Sequence, residues 1–251
     1  MNFNDEDRYL GATLSRRRFL RAAAAAGATG LLLPAESFGA PEQVHDLRGK
    51  VTINGRDATY QSQIAPGDRV VSGNDGYIVF AMGKDAYMLR SRSEFVIERR
   101  EGGAGFLNLL TGALGAVFGR GGRREIRAKN VTAGIRGTGV YLETRAGSTY
   151  FCTCWGEVDL ASSLDPKDRQ RVASSRHVAR VVSANAKDGT RFSDASFEGH
   201  TDEEMDILQK CVGRRSPIVV PAGTSNRRPE AASGSTPAPR FPARCDTTRT
   251  H

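Results

Sequence analysis

The sequence has no apolar run of the roughly 20 residues that a helix needs to cross a hydrocarbon core about 30 Å thick, which rules out a multi-pass membrane protein. It lacks a HExxH pair, a phosphate-binding glycine loop and a nucleophile elbow, so the common hydrolytic and nucleotide chemistries have no anchor and a non-enzymatic role is expected. Cysteine is scarce. Four in 251 residues are too few for a disulfide scaffold but enough for one bridge or a metal site. Acidic residues are in deficit, 28 against 36 Lys and Arg, for a net charge of +8. The remainder, 25% charged and 39% hydrophobic with 28 glycines, is an ordinary globular balance.

The N-terminus reads as an address. Ser15–Arg21 (SRRRFLR) precedes the weakly apolar run Ala22–Leu33, and Pro34, Ser37, Gly39 and Ala40 follow. This is the order of a positive region, a short apolar region and a small-residue cleavage site. Arg16 and Arg17, with Phe19 and Leu20 close behind, resemble the twin-arginine export motif, which a receptor reads and which does not anchor. Residues 1–39 are thus expected to be a signal peptide, and the mature chain to be periplasmic or secreted. Removing them takes away five arginines and four acids and leaves about +7, so the basic balance does not come from the signal.

From His45 onward, short β-like runs alternate with Gly, Asn and Asp at a spacing near 8–12 residues, as in an all-β sandwich or roll. Tyr77, Val79 and Ala81 share one face of their run and Ile78, Phe80 and Met82 the other; Tyr87 with Leu89 and Phe95 with Ile97 repeat the period of two. Two apolar faces predict a central strand covered on both sides. Ala104–Gly119 (AGFLNLLTGALGAVFG) reads as strand, glycine turn, strand. The basic stretch GRGGRREIRAKN after it predicts a mobile loop. It has no interleaved aromatic rings on which bases could stack, so nucleic-acid binding is not expected.

The series VHDLRGKVTING, IAPGDRVVSGNDGYIVFAM, YMLRSRSEFVI, LLTGALGAVF and IRAKNVTAGIRGTGVYLE resembles the FecR domain. Its most specific part is Ala133-Gly134-Ile135-Arg136-Gly137-Thr138. The resemblance covers about residues 44–160 and implies a periplasmic β-rich module that binds or senses an envelope protein or ligand. In that family the module follows a sigma-factor-binding segment and a membrane span. Here only about 15 residues precede the export motif, and no transmembrane anchor is expected. Read from the residues alone, Gly137 marks a bulge between strand segments, Arg136 a structural staple and Thr138 a hydroxyl that closes a local turn.

Cys152 and Cys154 lie in TYFCTCWGEVDL, where strand geometry puts both sulfurs on one face about 6–7 Å apart, too awkwardly placed to bridge each other. With His177 and His200 they form a Cys2His2 set suited to zinc or copper, although the spacing matches no standard finger. The alternatives are buried free thiols and disulfides to Cys211 or Cys245. Thr201 and Glu204 predict a capping box opening a helix over 201–212, with Asp202 and Glu203 at the positive end of its dipole. Residues 161–220 are therefore expected to be a small C-terminal extension carrying that helix. Residues 221–251 are expected to be a disordered tail in which Cys245 is a free thiol.

Replacing Arg16 and Arg17 by lysine is expected to hold the chain in the cytosol, read by fractionation. N-terminal sequencing of the exported chain should begin at Ala40.

Overall fold

The computed structural model describes residues 43–98, 106–122, 124–218 and Cys245. The expected signal over 1–39 lies outside the described residues, and so does the expected tail apart from Cys245. Among the described residues no helix is long and apolar enough to cross a membrane.

The fold is mainly β, and it is organised by two 15-residue strands, β11 (Val131–Arg145) and β12 (Ser148–Ser162), that pair antiparallel along their length. Their register shifts between Arg136 and Val140, and this irregularity divides the ladder into two halves. On the outer edge of β11, the first half takes β10 (Arg124–Ala128) and the second takes β9 (Ala113–Val117). Across the ladder, β12 takes β14 (Val178–Lys187) along its first half and β13 (Arg169–Ser174) along its second. One row then runs outward from β10 through β8 (Phe106–Thr111), β7 (Glu94–Ile97), β4 (Arg69–Ser72), β2 (Val51–Ile53) and β3 (Arg56–Asp57). The other runs from β9 through β6 (Asp85–Leu89) and β5 (Tyr77–Met82) to β1 (Val44–Arg48), with β15 (Thr190–Ala195) beside β14 at its far edge. The result is a curled sheet folded into two facing layers, as the turn-punctuated sequence led one to expect.

The alternation at β5 explains what fills the space between and outside the layers. Ile78, Phe80, Tyr87 and Leu89 of one row belong to the core enclosed by the two rows, which also receives Phe95, Ile97 and Ile126 from the opposite row and Ile135 and Val158 from the long ladder. Val79 faces away into a second apolar cluster with Met88, Val117 and Tyr141. That second face is covered by the helix α1 (Asp202–Cys211), which contributes Met205 and Leu208. The strand is therefore buried on both sides, and its side chains must be apolar at every position in the middle.

Several elements differ from the sequence expectations. The chain past residue 160 is not an extension beside the β module: β13, β14 and β15 hydrogen-bond into the same sheet because β12 runs across the proposed boundary. The basic stretch after Gly119 is partly strand β10, parallel to β8, since Ile126 is fully buried in the core while its neighbours stay polar. The two strands flanking Gly112 do not pair with each other but enter opposite rows. Gly112 makes that crossing at φ +79, where an added Cβ would collide with Ser93, so glycine is required there.

Helix α1 begins as the sequence predicts. Thr201 accepts a hydrogen bond from the Glu204 amide, and the Glu204 side chain accepts from the Thr201 amide. The same carboxylate docks the helix, accepting two bonds from the buried Arg90 guanidinium at 2.7 Å each. Removing one partner of such a pair leaves the other charge stranded in apolar surroundings. Glu204→Ala is thus expected to destabilise the fold by about 3–5 kcal/mol, read as a lower urea midpoint.

Candidate metal centre

Cys152 and Cys154 alternate with Phe151 and Thr153 along β12, so both sulfurs emerge on the face covered by α1. His177 sits in the bend between β13 and β14, held at φ +44 with its amide donating to the Cys154 carbonyl at 2.9 Å. His200 follows Gly199, whose φ is +81 and where a Cβ would press to 2.7 Å from the Tyr141 ring. Glycine at that point lets the chain run flat against Tyr141 and bring His200 inward. Tyr150 steadies the approach: its hydroxyl donates to the Ser196 carbonyl and accepts from the Glu198 amide, both at 3.1 Å.

The four side chains converge, with one ligand atom from each lying within 4.8 Å of all the others. The Cys152 Sγ to His177 Nδ1 distance is 3.6 Å, and Cys154 Sγ to His200 Nε2 is 3.2 Å. A tetrahedral ion at ordinary Zn–S and Zn–N bond lengths separates its ligand atoms by roughly 3.3–3.8 Å, so the observed spacing already approaches that of a coordination shell. Both cysteines and His200 are fully buried, and the His177 side chain is 6% exposed. Aromatic rings close the site, Tyr141 stacking on His200 at 4.5 Å and Phe197 lying 4.0 Å from His177.

The outer hydrogen bonds settle which ring nitrogens are available. His200 Nδ1 lies 3.0 Å from the Glu198 carbonyl, which only accepts, so Nδ1 carries the proton and Nε2 turns its lone pair toward Cys154. His177 Nε2 lies 2.5 Å from Asp202 Oδ1, so Nε2 is the protonated nitrogen and Nδ1 faces Cys152. Metal-binding histidines regularly have their second nitrogen tied to a carboxylate or a carbonyl in this way. Asp202 is itself 1% exposed and receives Arg176 at 2.6 Å, which balances its charge. Its position in the first turn of a helix signals only an interaction with the dipole, so the sequence conceals its contact with His177.

The thiols are polarised in opposite directions. Hydrogen bonding with Cys154, with the two imidazoles beside it, holds the Cys152 thiol well below its usual value against the opposing effect of burial. Burial, with Cys152 beside it, pushes Cys154 up. His177 is raised: burial works against its charged form, but hydrogen bonds to Cys152 and Asp202 outweigh it. The remaining two cysteines take no part. Cys211 and Cys245 form a disulfide, which corrects the expectation of a free Cys245 and leaves Cys152 and Cys154 as the free thiols. The pairing was illegible because the partner comes from a segment of tail-like composition.

The signature Ile135-Arg136-Gly137-Thr138 lies at the register shift of the long ladder, away from the cluster. Ile135 is core, Gly137 takes φ +61, and the Thr138 hydroxyl lies 2.9 Å from the Arg136 carbonyl and 3.1 Å from that of Glu157. Arg136 is exposed and has no carboxylate partner among the described residues. The export residues Arg16, Arg17, Phe19 and Leu20 lie outside the described residues.

No protein-family model matches the chain, and no curated protein matches it. Among solved structures it is similar to two crystal structures of a candidate anti-sigma factor from Parabacteroides distasonis ATCC 8503, both at 8% identity and a TM-score of 0.42. The similarity covers 51% of this chain and 59% of that one, so the chain spans about three-fifths of the length of the structures it matches.

Asp202→Asn keeps the shape but weakens the acceptor that orients His177. Zinc affinity measured by chelator competition is expected to fall about 10–100-fold.

Proposed function

We propose that the protein is an exported, non-enzymatic binding module of FecR type whose β scaffold holds one zinc ion through Cys152, Cys154, His177 and His200. The observation that carries the metal assignment is that each imidazole has one nitrogen committed outside the cluster, to Asp202 or to the Glu198 carbonyl, and turns the other on a sulfur. Two thiolates and two imidazoles favour zinc in a tetrahedral site, and four protein ligands leave no open position for substrate. Such an ion is structural. It would tie β12 to the bend before β14 and to the approach of α1, contributing to the fold itself.

The twin-arginine-like start and the FecR resemblance over about residues 44–160 support export and a sensing or binding role toward an envelope protein or ligand. Copper(I) is the competing ion, because sulfur and imidazole donors suit it too.

Elemental analysis with native mass measurement of the chain purified from the periplasm should find about one zinc per chain. Cys152→Ser/Cys154→Ser should lose it, and a strong chelator should lower the melting temperature of the wild type but not of the variant. Copper in place of zinc would change the ion and keep the site. Metal-free protein whose melting is indifferent to added zinc, copper and chelator would overturn the metal assignment.

A further inference from the structure

A second site lies on the other half of the long ladder. Where β12 exchanges its partner β14 for β13, the sheet leaves a cavity of about 870 Å³. That is within the roughly 300–1,000 Å³ range of small-molecule sites. Its wall is built from Arg120, Arg136, Ser174, Ser175 and Glu157, with glycines between them.

Two observations give the cavity a charge preference. Arg120 and Arg136 are both exposed, and neither has a carboxylate partner among the described residues, whereas neighbouring Arg124 is bound to Asp85 and Arg127 to Glu125. Glu157 is the acidic residue of the wall, and it shares Arg171 with Asp159, at 3.0 and 3.1 Å. Gly121, Gly122 and Gly137 all take positive φ, a conformation that glycine adopts without strain.

We propose that this cavity binds a small anionic molecule through a carboxylate or phosphate group held by the Arg120 and Arg136 guanidiniums, with the exposed Ser175 offering a hydroxyl to its uncharged part. Arginine is suited to this because its planar fork matches both oxyanions with paired hydrogen bonds. The volume and hydroxyl lining fit a sugar-sized ligand, and the missing side chains at the glycines let it approach the backbone closely. The site shares no residue with the metal cluster.

Calorimetric titration of the full chain at low salt with glucuronate, glucose 6-phosphate, inorganic phosphate and glucose tests this. At least one anionic probe should bind saturably and glucose should not; glucuronate alone identifies a carboxylate site and the phosphates alone a phosphate site. Arg120→Gln/Arg136→Gln should weaken that binding about tenfold or more while leaving melting temperature and metal content unchanged, because both side chains are exposed. Absence of saturable binding by every anionic probe at about 10 mM would overturn the proposal, as would equal affinity for glucose or unaltered affinity in the double variant. Loss of the metal assignment would leave this result untouched.

Discussion

The antiparallel pairing of β11 with β12, and the shift of register between Arg136 and Val140, govern which layer each later segment joins. Before the shift β11 faces β10, and after it β9; the change of partner folds one continuous ladder into two layers. A bulge bends and twists a strand at the expense of local pairing, and here Gly137 and Gly156, both at positive φ, absorb the bend. Trp155 packs against it so closely that Gly139 has no space for a side chain. Cys152 and Cys154 lie on one side of this hinge and the arginine-walled cavity on the other, so the same irregularity positions both.

Period-two patterning made much of the fold legible. At β5 each of the two faces enters a different apolar cluster, as its alternation implies, and the capping box at Thr201 and Glu204 marked the start of α1 within one residue. The sequence was silent where a contact joins residues distant along the chain. Nothing local distinguishes the Asp202 that orients His177 from an ordinary first-turn acid. Nothing in VARVVSANAK indicates that it continues the sheet beside β12. The four residues of the Cys/His cluster were recognisable by type, but their convergence depends on a left-handed bend at His177 and a glycine before His200, neither of which has a periodic signal.

The polar cluster is set in an apolar layer, and that has an energetic implication. Thiols and imidazoles removed from water lose hydration that only well-placed partners restore. Here the imidazoles find them in pairs, one inside the cluster and one outside, while Arg176 balances Asp202. An ion accepting four lone pairs at once would offset the burial of sulfur and nitrogen donors together. The cluster then serves the α1 face as a polar counterpart to the Arg90–Glu204 contact on the same helix.

The Cys211–Cys245 bridge joins the last turn of α1 to a residue 34 positions onward. Its consequence is topological. A peptide bond cut anywhere between those two cysteines opens a ring and releases nothing, because both ends remain covalently held to a helix that is itself pinned to the sheet. A protease acting in that span would convert one chain into two linked chains, indistinguishable by mass from hydrated intact protein until a reductant separated them.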